Sequence, residues 1–478
     1  NQRMDMLGNE QKRVNLRYLG QFDWGQFEAR AYYEDVDHYM NFGADKQLAY
    51  GTAVNGMPMY STSETTGITL KADIDLGSND LLRLGALYQH YTLNDWWPPS
   101  GTGGMAPNAF QNINNGQRDR FGVFAEWEKR FSPQWTTLLG ARYEVVDSDA
   151  GMVHGYNLAT APTSGSGGMM NQTTDAVAFN NADRSKADHN FDLTALARYT
   201  VDNTKDIEFG LARKVRSPNL YERYTWSTAG MMMVMNNFVG DGNGYIGNLD
   251  LKPEKAYTVS ATFDFHAPDR SWELKATPYF TYVDDYIDAV RCSSAGMGGC
   301  PTATPNPSTN TFVRLQYANQ SARLYGLDLS GRLPLAQTAF GEFGLNGLLN
   351  YTKGENRDTG GNLYNIMPLN AKLALTHKTG GWNNAIEVIG VAGKEDTSAV
   401  RNEIGTAGYS LTHLRGSYSW SKVRIDFGVE NLFDKFYYLP TGGTYTGQGM
   451  TMSINGIPWG IAVPGMGRSF YAGVNMKF

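Results

Sequence analysis

The last eleven residues, Arg468 to Phe478, alternate strictly between apolar and polar side chains. Neighbouring side chains of a β-strand point to opposite faces, so this segment predicts a strand with one apolar and one polar face. In water, an open sheet edge with an exposed apolar face invites aggregation. A membrane barrel needs such strands, because its apolar side chains face lipid and its edges are paired. The apolar face carries Phe470, Ala472, Val474, Met476 and Phe478, and the other face carries Ser469, Tyr471, Gly473, Asn475 and Lys477.

The same alternation recurs along the chain, for example from Trp272 to Tyr282 and from Val423 to Glu430. Short connections rich in turn residues alternate with long ones, as expected when all tight turns lie on one side of a membrane. No stretch approaches the roughly 18 consecutive apolar residues of a transmembrane helix. We therefore predict an all-β transmembrane antiparallel barrel with short periplasmic turns and long extracellular loops. These loops are expected near residues 41–63, 93–117, 148–186, 217–250, 292–311, 355–367, 396–405 and 437–464.

The alternating segments predict about 17 strands, the first beginning near Val14 and the last ending at Phe478. Single-chain bacterial barrels have even numbers of strands, and an open edge in lipid is not viable. Either one strand is miscounted, or the first strands of the barrel precede Asn1. We favour the second interpretation and expect residues 1–478 to form one barrel domain that lacks its first strands.

The chain has two cysteines, Cys292 and Cys300, eight residues apart. Such a pair can close a disulfide bond, which forms in an oxidising compartment such as the periplasm or the cell surface. A metal-binding pair of thiols is the alternative. We predict the disulfide.

Several segments resemble the barrel of TonB-dependent outer-membrane receptors. They are Arg213-Lys-Val-Arg-Ser-Pro-Asn-Leu-Tyr-Glu-Arg223, Gly247-Asn-Leu-Asp-Leu-Lys-Pro-Glu254, the strand restart at Tyr325-Gly-Leu-Asp-Leu329, and Glu430-Asn-Leu-Phe-Asp-Lys-Phe-Tyr-Tyr438. Within these motifs, Pro253, Asn431 and Asp434 are expected to hold loop bases and turns rather than to touch a substrate. The terminal Phe478 is similar to the assembly signal of bacterial outer-membrane barrels.

The resemblance implies a 22-stranded barrel in the full protein, with a plug domain ahead of it. It implies a multi-pass protein of the bacterial outer membrane, with the carboxyl terminus in the periplasm and lipid and lipopolysaccharide around it. The TonB-ExbB-ExbD complex would supply energy through a TonB box in the missing amino-terminal region. Surface receptors of this kind also serve phages and bacteriocins.

Methionine is the residue that points to a substrate. Most of the 19 methionines fall in the long loops or at strand ends beside them. The thioether is a soft ligand that prefers Cu(I) to hard cations, and imidazole also suits copper. Methionines that fill packing gaps in the barrel mouth are the alternative for any single position. The predicted metal ligands are His38, Met40, Met57, Met59, Met231, Met232, Met233 and Met235.

The segments Asp95-Trp-Trp-Pro-Pro99 and Tyr221 to Met233 resemble the copper-associated branch of the family, the OprC/NosA-like receptors. The resemblance implies copper ions as the transported ligand and import across the outer membrane. Two alternatives remain: a receptor for a siderophore or other metal chelate, which loop tryptophans would suit, and a passive porin. No arrangement of catalytic residues indicates an enzyme. The net charge of −6 and the lack of a basic run give no sign of a nucleic-acid partner.

Overall fold

A computed structural model describes the chain except for residues 1–3, 44–48, 51–52, 55, 101–104, 159–171, 294–299, 301–303, 447–457 and 478. Long strands make up most of the described chain, as predicted. They are β1 (Asp5–Phe22), β2 (Gly25–Asn41), β3 (Ala49–Tyr50), β4 (Ala53–Val54), β5 (Met59–Gly77), β6 (Asp80–Trp97), β7 (Phe110–Arg130), β8 (Trp135–Asp149), β9 (Lys186–Asp202), β10 (Lys205–Arg216), β11 (Gly244–Ile246), β12 (Glu254–His266), β13 (Glu273–Arg291), β14 (Arg314–Thr338), β15 (Gly341–Asn356), β16 (Asn370–Thr379), β17 (Trp382–Val391), β18 (Tyr409–Ser419), β19 (Val423–Glu430) and β20 (Ser469–Met476).

The helices are short. They are α1 (Gln172–Asn181), α2 (Leu220–Tyr224), α3 (Gly230–Met235) and a 3-10 helix at Ala399–Arg401. Among the described residues, no helix is both long and apolar enough to cross a membrane.

The main sheet contains 18 strands of the described chain. One of them, the three-residue β11, runs parallel to β14, and the others follow each other as an antiparallel meander from β1 to β20. This leaves 17 meander strands, which confirms the predicted number. In the described part of the chain β1 pairs with β2 alone and β20 with β19 alone, so both edges of the sheet are open. The first strand begins at Asp5 rather than near Val14, so the predicted start was wrong.

The two faces of the sheet differ as a barrel wall requires. On β10, the side chains of Phe209 and Leu211 are exposed on the outer face. The inner face carries ion pairs between neighbouring strands, for example Arg83 with Glu126 at 2.6 Å and Arg120 with Glu144 at 2.7 Å. Aromatic side chains cluster on the outer face near the tight turns, as in the girdles of membrane barrels. Those with exposed side chains include Phe22, Trp24, Phe131, Trp135, Trp272, Phe340, Trp382 and Trp420.

Connections alternate in length along the meander, as predicted. All tight turns lie at one end of the strands, here called the short-turn end, and all long connections lie at the other, the long-loop end. The family-like turn after β19 is held by Asn431, whose side chain accepts from the Lys435 amide at 2.8 Å and donates to the Met466 carbonyl at 3.2 Å. Asp434 accepts from the Arg468 amide at 2.8 Å. Both residues therefore have the structural role that the sequence suggested.

Candidate functional site

Several long connections pack together at the long-loop end, and α2 belongs to the apolar cluster that they form. The helix begins with a capping box, in which Asn219 and Glu222 satisfy each other's backbone amides. One turn later Arg223 is almost fully buried, where it donates to Asp188 at 2.8 Å and to the Leu251 carbonyl at 2.9 Å. A buried guanidinium needs such partners, so α2 is fixed to β9 and to the segment that precedes β12.

The segment between α2 and α3 docks through an aromatic stack of Trp97, Phe110 and Trp226. Ring centroids lie 4.5 Å apart between Trp97 and Phe110, and 4.8 Å apart between Phe110 and Trp226. The Trp226 indole donates to the Gln111 carbonyl at 2.8 Å. The stack therefore holds α3, with its run of methionines, against the ends of β6 and β7.

Four methionines meet beside this stack and line a cavity of about 150 Å³, here called the methionine cavity. Met40 is the penultimate residue of β2 and lies directly opposite Met59 of β5 in the sheet register. Met235 comes from the last turn of α3, and Met4 lies just before β1. The other lining residues are Val234, Asn237, Phe238, Gly240, Gly242 and Thr446.

The chemistry of the methionine cavity is unusual for a polar barrel mouth. Among the described residues, its lining holds four thioethers and neither a carboxylate nor an imidazole. Met4, Met59 and Met235 are buried, and Met40 is partly exposed. Thioethers are soft donors, which select Cu(I) over Ca²⁺ or Mg²⁺. A volume near 150 Å³ has room for an ion and a few waters, whereas organic ligands take roughly 300–1,000 Å³.

The other predicted ligands lie around this cavity rather than in its lining. Met57 is fully buried and accepts from the Tyr156 hydroxyl at 2.6 Å. Met232 is also fully buried in the apolar cluster that includes the aromatic stack, and Met231 packs against its edge. Met233 points elsewhere, into a small cluster with Ile246 and the two cysteines.

His38 shares the inner face of β2 with Met40, two residues from it, as predicted from the strand period. Its ring is partly buried, and Nδ1 lies 3.3 Å from the side-chain oxygen of Asn9 on β1. His38 does not line the methionine cavity. The other predicted pair, Cys292 and Cys300, forms a disulfide bond.

Met4 belongs to the cavity but was missed from sequence. The expected first strand began near Val14, so residues before it had no place in the barrel. The missed signal was the position of Met4 immediately before a strand whose Met6 pairs with Met40.

A buried polar chain links α3 to the barrel wall. Asn112 of β7 donates from its side-chain nitrogen to Asp95 at 2.7 Å and to Asn236 at 2.8 Å. The Trp97 indole also donates to Asp95, at 3.2 Å. Burial raises the pKa of the Asp95 carboxyl to about 7, although the hydrogen bonds from Asn112, Tyr221 and Trp97 oppose the shift. The docking of α3 is thus tied to one carboxyl that titrates near neutral pH.

Another group of potential metal ligands lies at the short-turn end. Among the described residues, Asp206, Asp264 and His266 bring ligand atoms within 4.8 Å of one another. The guanidinium of Arg270 donates to Asp206 at 3.1 Å and to Asp264 at 3.3 Å. Lys275 adds a second cation, 3.6 Å from Asp264. Because two cations already pair with the two carboxylates, the group is best explained as an ion-pair network.

Comparison with known proteins gives the family and the fold. The model of the "TonB dependent receptor-like, beta-barrel" family matches residues 1–432. The solved structure of the copper transporter OprC is similar with a TM-score of 0.74, at 19% identity over 100% of this chain and 67% of that one. The FrpB iron transporter from Neisseria meningitidis gives a TM-score of 0.62, at 14% identity over 98% of this chain and 63% of that one. At such low identities these likenesses show a shared fold alone.

The Heme/hemopexin utilization protein C of Haemophilus influenzae (strain ATCC 51907 / DSM 11121 / KW20 / Rd) is 27% identical over 289 residues, which are 54% of this chain and 36% of that protein. The chain thus matches about a third of the length of this curated relative. The family match extends over most of the chain, from the first strand to the beginning of the turn after β19. The chain therefore belongs to the TonB-dependent receptor-like β-barrel family.

Proposed function

We propose that this chain is the barrel of a TonB-dependent outer-membrane receptor that binds copper at the long-loop end and imports it. Met4, Met40, Met59 and Met235 are the ligands, and the observation that carries the proposal is their convergence on one small cavity. Soft thioether donors favour Cu(I). This set revises the predicted ligands: Met40, Met59 and Met235 stay and Met4 is added. Met57, Met231, Met232, Met233 and His38 become surrounding residues.

The receptor role follows from the family. TonB-dependent energy coupling requires a plug and a TonB-contacting segment, which we place ahead of Asn1, together with the first strands of the barrel. The TonB-ExbB-ExbD complex would then act from the periplasmic, short-turn end. The inner ion pairs, such as Arg83 with Glu126, would face that plug.

Heme is the second candidate substrate, because the curated relatives are named for heme and hemopexin utilization. One solved structure with a similar fold is named as a copper transporter, OprC. The size of the methionine cavity supports copper rather than heme as its ligand. A space of about 150 Å³ lies below the range of organic ligands, so heme would need a different site.

The test compares Cu(I) and heme binding by the full-length receptor under reducing conditions. Met40, Met59 and Met235 are replaced together by leucine, which keeps the side-chain volume and removes the donor. The Cu(I) affinity of the triple variant should fall by a factor of roughly 10–100 or more. Loss of a supporting contact to a metal ligand already lowers metal affinity by about this factor.

Two controls separate ligation from packing. Met232→Leu changes a buried methionine outside the cavity, and Met152→Leu changes one that is 63% exposed. Both should bind copper like the wild type. Unchanged Cu(I) affinity in the triple variant, or tight heme binding without any copper binding, would reject the proposal.

A further inference from the structure

One wall of the methionine cavity is a turn of residues 237–243, here called the cavity turn, which follows shortly after α3. Three of its residues line the cavity, namely Asn237, Gly240 and Gly242. The Asn237 amide donates to the Val234 carbonyl at 3.2 Å, so the turn is joined to the last turn of the helix. Because α3 ends at Met235, the position of the Met235 thioether depends on where the cavity turn is held.

The shape of the cavity turn is set by the buried carboxylate of Asp241. One carboxylate oxygen accepts from the Asn237 side chain at 3.1 Å and from the Asn243 amide at 3.0 Å. The other oxygen accepts from the Asn243 side chain at 2.9 Å and from the Tyr245 hydroxyl. A buried carboxylate is costly unless such donors surround it, so this arrangement holds the turn in one conformation.

A cation from a distant part of the chain completes this network. Arg401 lies in the 3-10 helix between β17 and β18, and only 5% of its surface is exposed. Its guanidinium donates to the Tyr245 hydroxyl at 2.7 Å and to Asp288 of β13 at 2.7 Å. The Asn243 side chain in turn donates to the Arg401 carbonyl at 2.8 Å. The cavity turn is therefore tied to the barrel wall through Tyr245 and Arg401.

The Tyr245 hydroxyl is the link on which this chain of hydrogen bonds depends. Its single proton goes to Asp241, and a lone pair of the same oxygen accepts from Arg401. Hydrogen bonds to charged groups are the stronger ones, and this hydroxyl makes two of them. The ring itself stacks on Tyr317, with centroids 5.2 Å apart. Removing the hydroxyl alone would therefore break the link and leave the packing of the ring in place.

We propose that Arg401 and the Tyr245 hydroxyl are positioning residues for copper, because they hold the cavity turn so that the Met235 thioether faces the cavity. Neither residue lines the methionine cavity, so neither is a ligand. Groups that orient a metal ligand from behind typically contribute about 10–100-fold to metal affinity. The inference rests on the proposed function, since it requires copper in the methionine cavity. It adds the connection between β17 and β18 to the parts of the chain that build the site.

The test measures the Cu(I) affinity of the full-length receptor in Tyr245→Phe, Met235→Leu and the double variant. Tyr245→Phe removes one oxygen atom and should lower the affinity roughly ten-fold or more. In the Met235→Leu background the same change should cost nothing further, because the thioether that the hydroxyl positions is already gone. X-ray absorption fine structure should show one sulfur neighbour of copper fewer in Tyr245→Phe than in the wild type.

Two further variants bracket this result. Arg401→Gln removes the cation and should lower the Cu(I) affinity about as much as Tyr245→Phe does. Tyr317→Phe is the matched control, because it removes the hydroxyl of the stacked neighbouring ring and should bind copper like the wild type. If Arg401→Gln fails to fold because Asp288 is left buried without its cation, Tyr245→Phe still decides the matter.

Three results would overturn the positioning role: an unchanged affinity in Tyr245→Phe, an unchanged number of sulfur neighbours, or equal losses from Tyr245→Phe with and without Met235. The last result would mean that the hydroxyl stabilises the loops without acting through the thioether. The same data separate this inference from the proposed function. A loss in Met235→Leu without one in Tyr245→Phe rejects the positioning role alone, whereas copper affinity that is unchanged in Met235→Leu counts against both.

Discussion

Replacing Asp95 by asparagine should remove a pH dependence from the docking of α3. In the wild type the Asp95 carboxyl is fully buried between Trp97, Asn112 and Tyr221, and burial raises its pKa from 3.8 to about 7. At 1.36 kcal/mol per pH unit, this pKa difference of about three pH units corresponds to a change of about 4 kcal/mol in the free energy of docking α3. Asparagine imitates the neutral carboxyl, so docking in the variant should not respond to pH.

The direction of the effect follows from proton linkage. Below about pH 4 the carboxyl is neutral in both the docked and the undocked loop, and docking is strongest. Between about pH 4 and pH 7 only the undocked loop releases the proton, so the docking free energy falls by about 1.4 kcal/mol per pH unit. Above about pH 7 both forms are ionised and the loss is complete. Docking is thus lost as pH rises through the raised pKa.

The assay is hydrogen exchange of the peptide that contains Trp226 and Asn236, corrected for the intrinsic rate. The opening equilibrium constant of the wild type should rise roughly 100-fold between about pH 5 and about pH 8. Asp250→Asn, a control in the same connection whose carboxylate side chain is 90% exposed, should behave like the wild type. A flat wild-type profile, or an Asp95→Asn profile as steep as that of the wild type, would refute the reasoning.

Three further predictions concern stability. Arg223→Ala leaves Asp188 buried without its cation, so the docking of the loops over the mouth should be destabilised by about 3–5 kcal/mol. Limited proteolysis should then cut these loops faster, and an unchanged rate of cleavage would contradict the prediction. Cys300→Ser opens a disulfide-closed loop and should cost about 2–3 kcal/mol, and reductant should then have no further effect on the variant. Gly25→Ala should cost about 1–3 kcal/mol because Gly25 has φ +134° and a Cβ there meets the Asp73 carbonyl. Gly77→Ala is the control, because a Cβ at Gly77 meets open space. Equal thermal unfolding temperatures of the Gly25→Ala and Gly77→Ala barrels would argue against backbone strain at Gly25.

The barrel could be predicted from sequence because strand alternation is a local property. The two-residue period of apolar side chains predicts the terminal strand and the number of meander strands. Turn residues between the strands predict the alternation of short and long connections. The start of β1 was missed because Gly8 to Arg13 are mostly polar and show no apolar face, so the pattern becomes visible only near Val14. Local pattern thus fails where both faces are polar.

The methionine cavity could be predicted only in part. The loop bias of methionine indicated the residue type, but the grouping depends on how α3 folds over the mouth. In the sequence, the methionines from Met231 to Met235 form one run, whereas the helix turns Met232 and Met235 to one side and Met233 to another. Long-range loop docking decides which thioethers meet, and no local period carries that information.

The four thioethers of the methionine cavity come from separate parts of the chain: the residue before β1, the end of β2, the start of β5, and α3. In a newly made chain these sulfur atoms are scattered, and the cavity forms only when the strands and α3 have come together. An unassembled precursor in transit would hold soft metal ions only weakly. On the proposed function, the ability to bind copper would therefore be acquired only when the barrel has assembled.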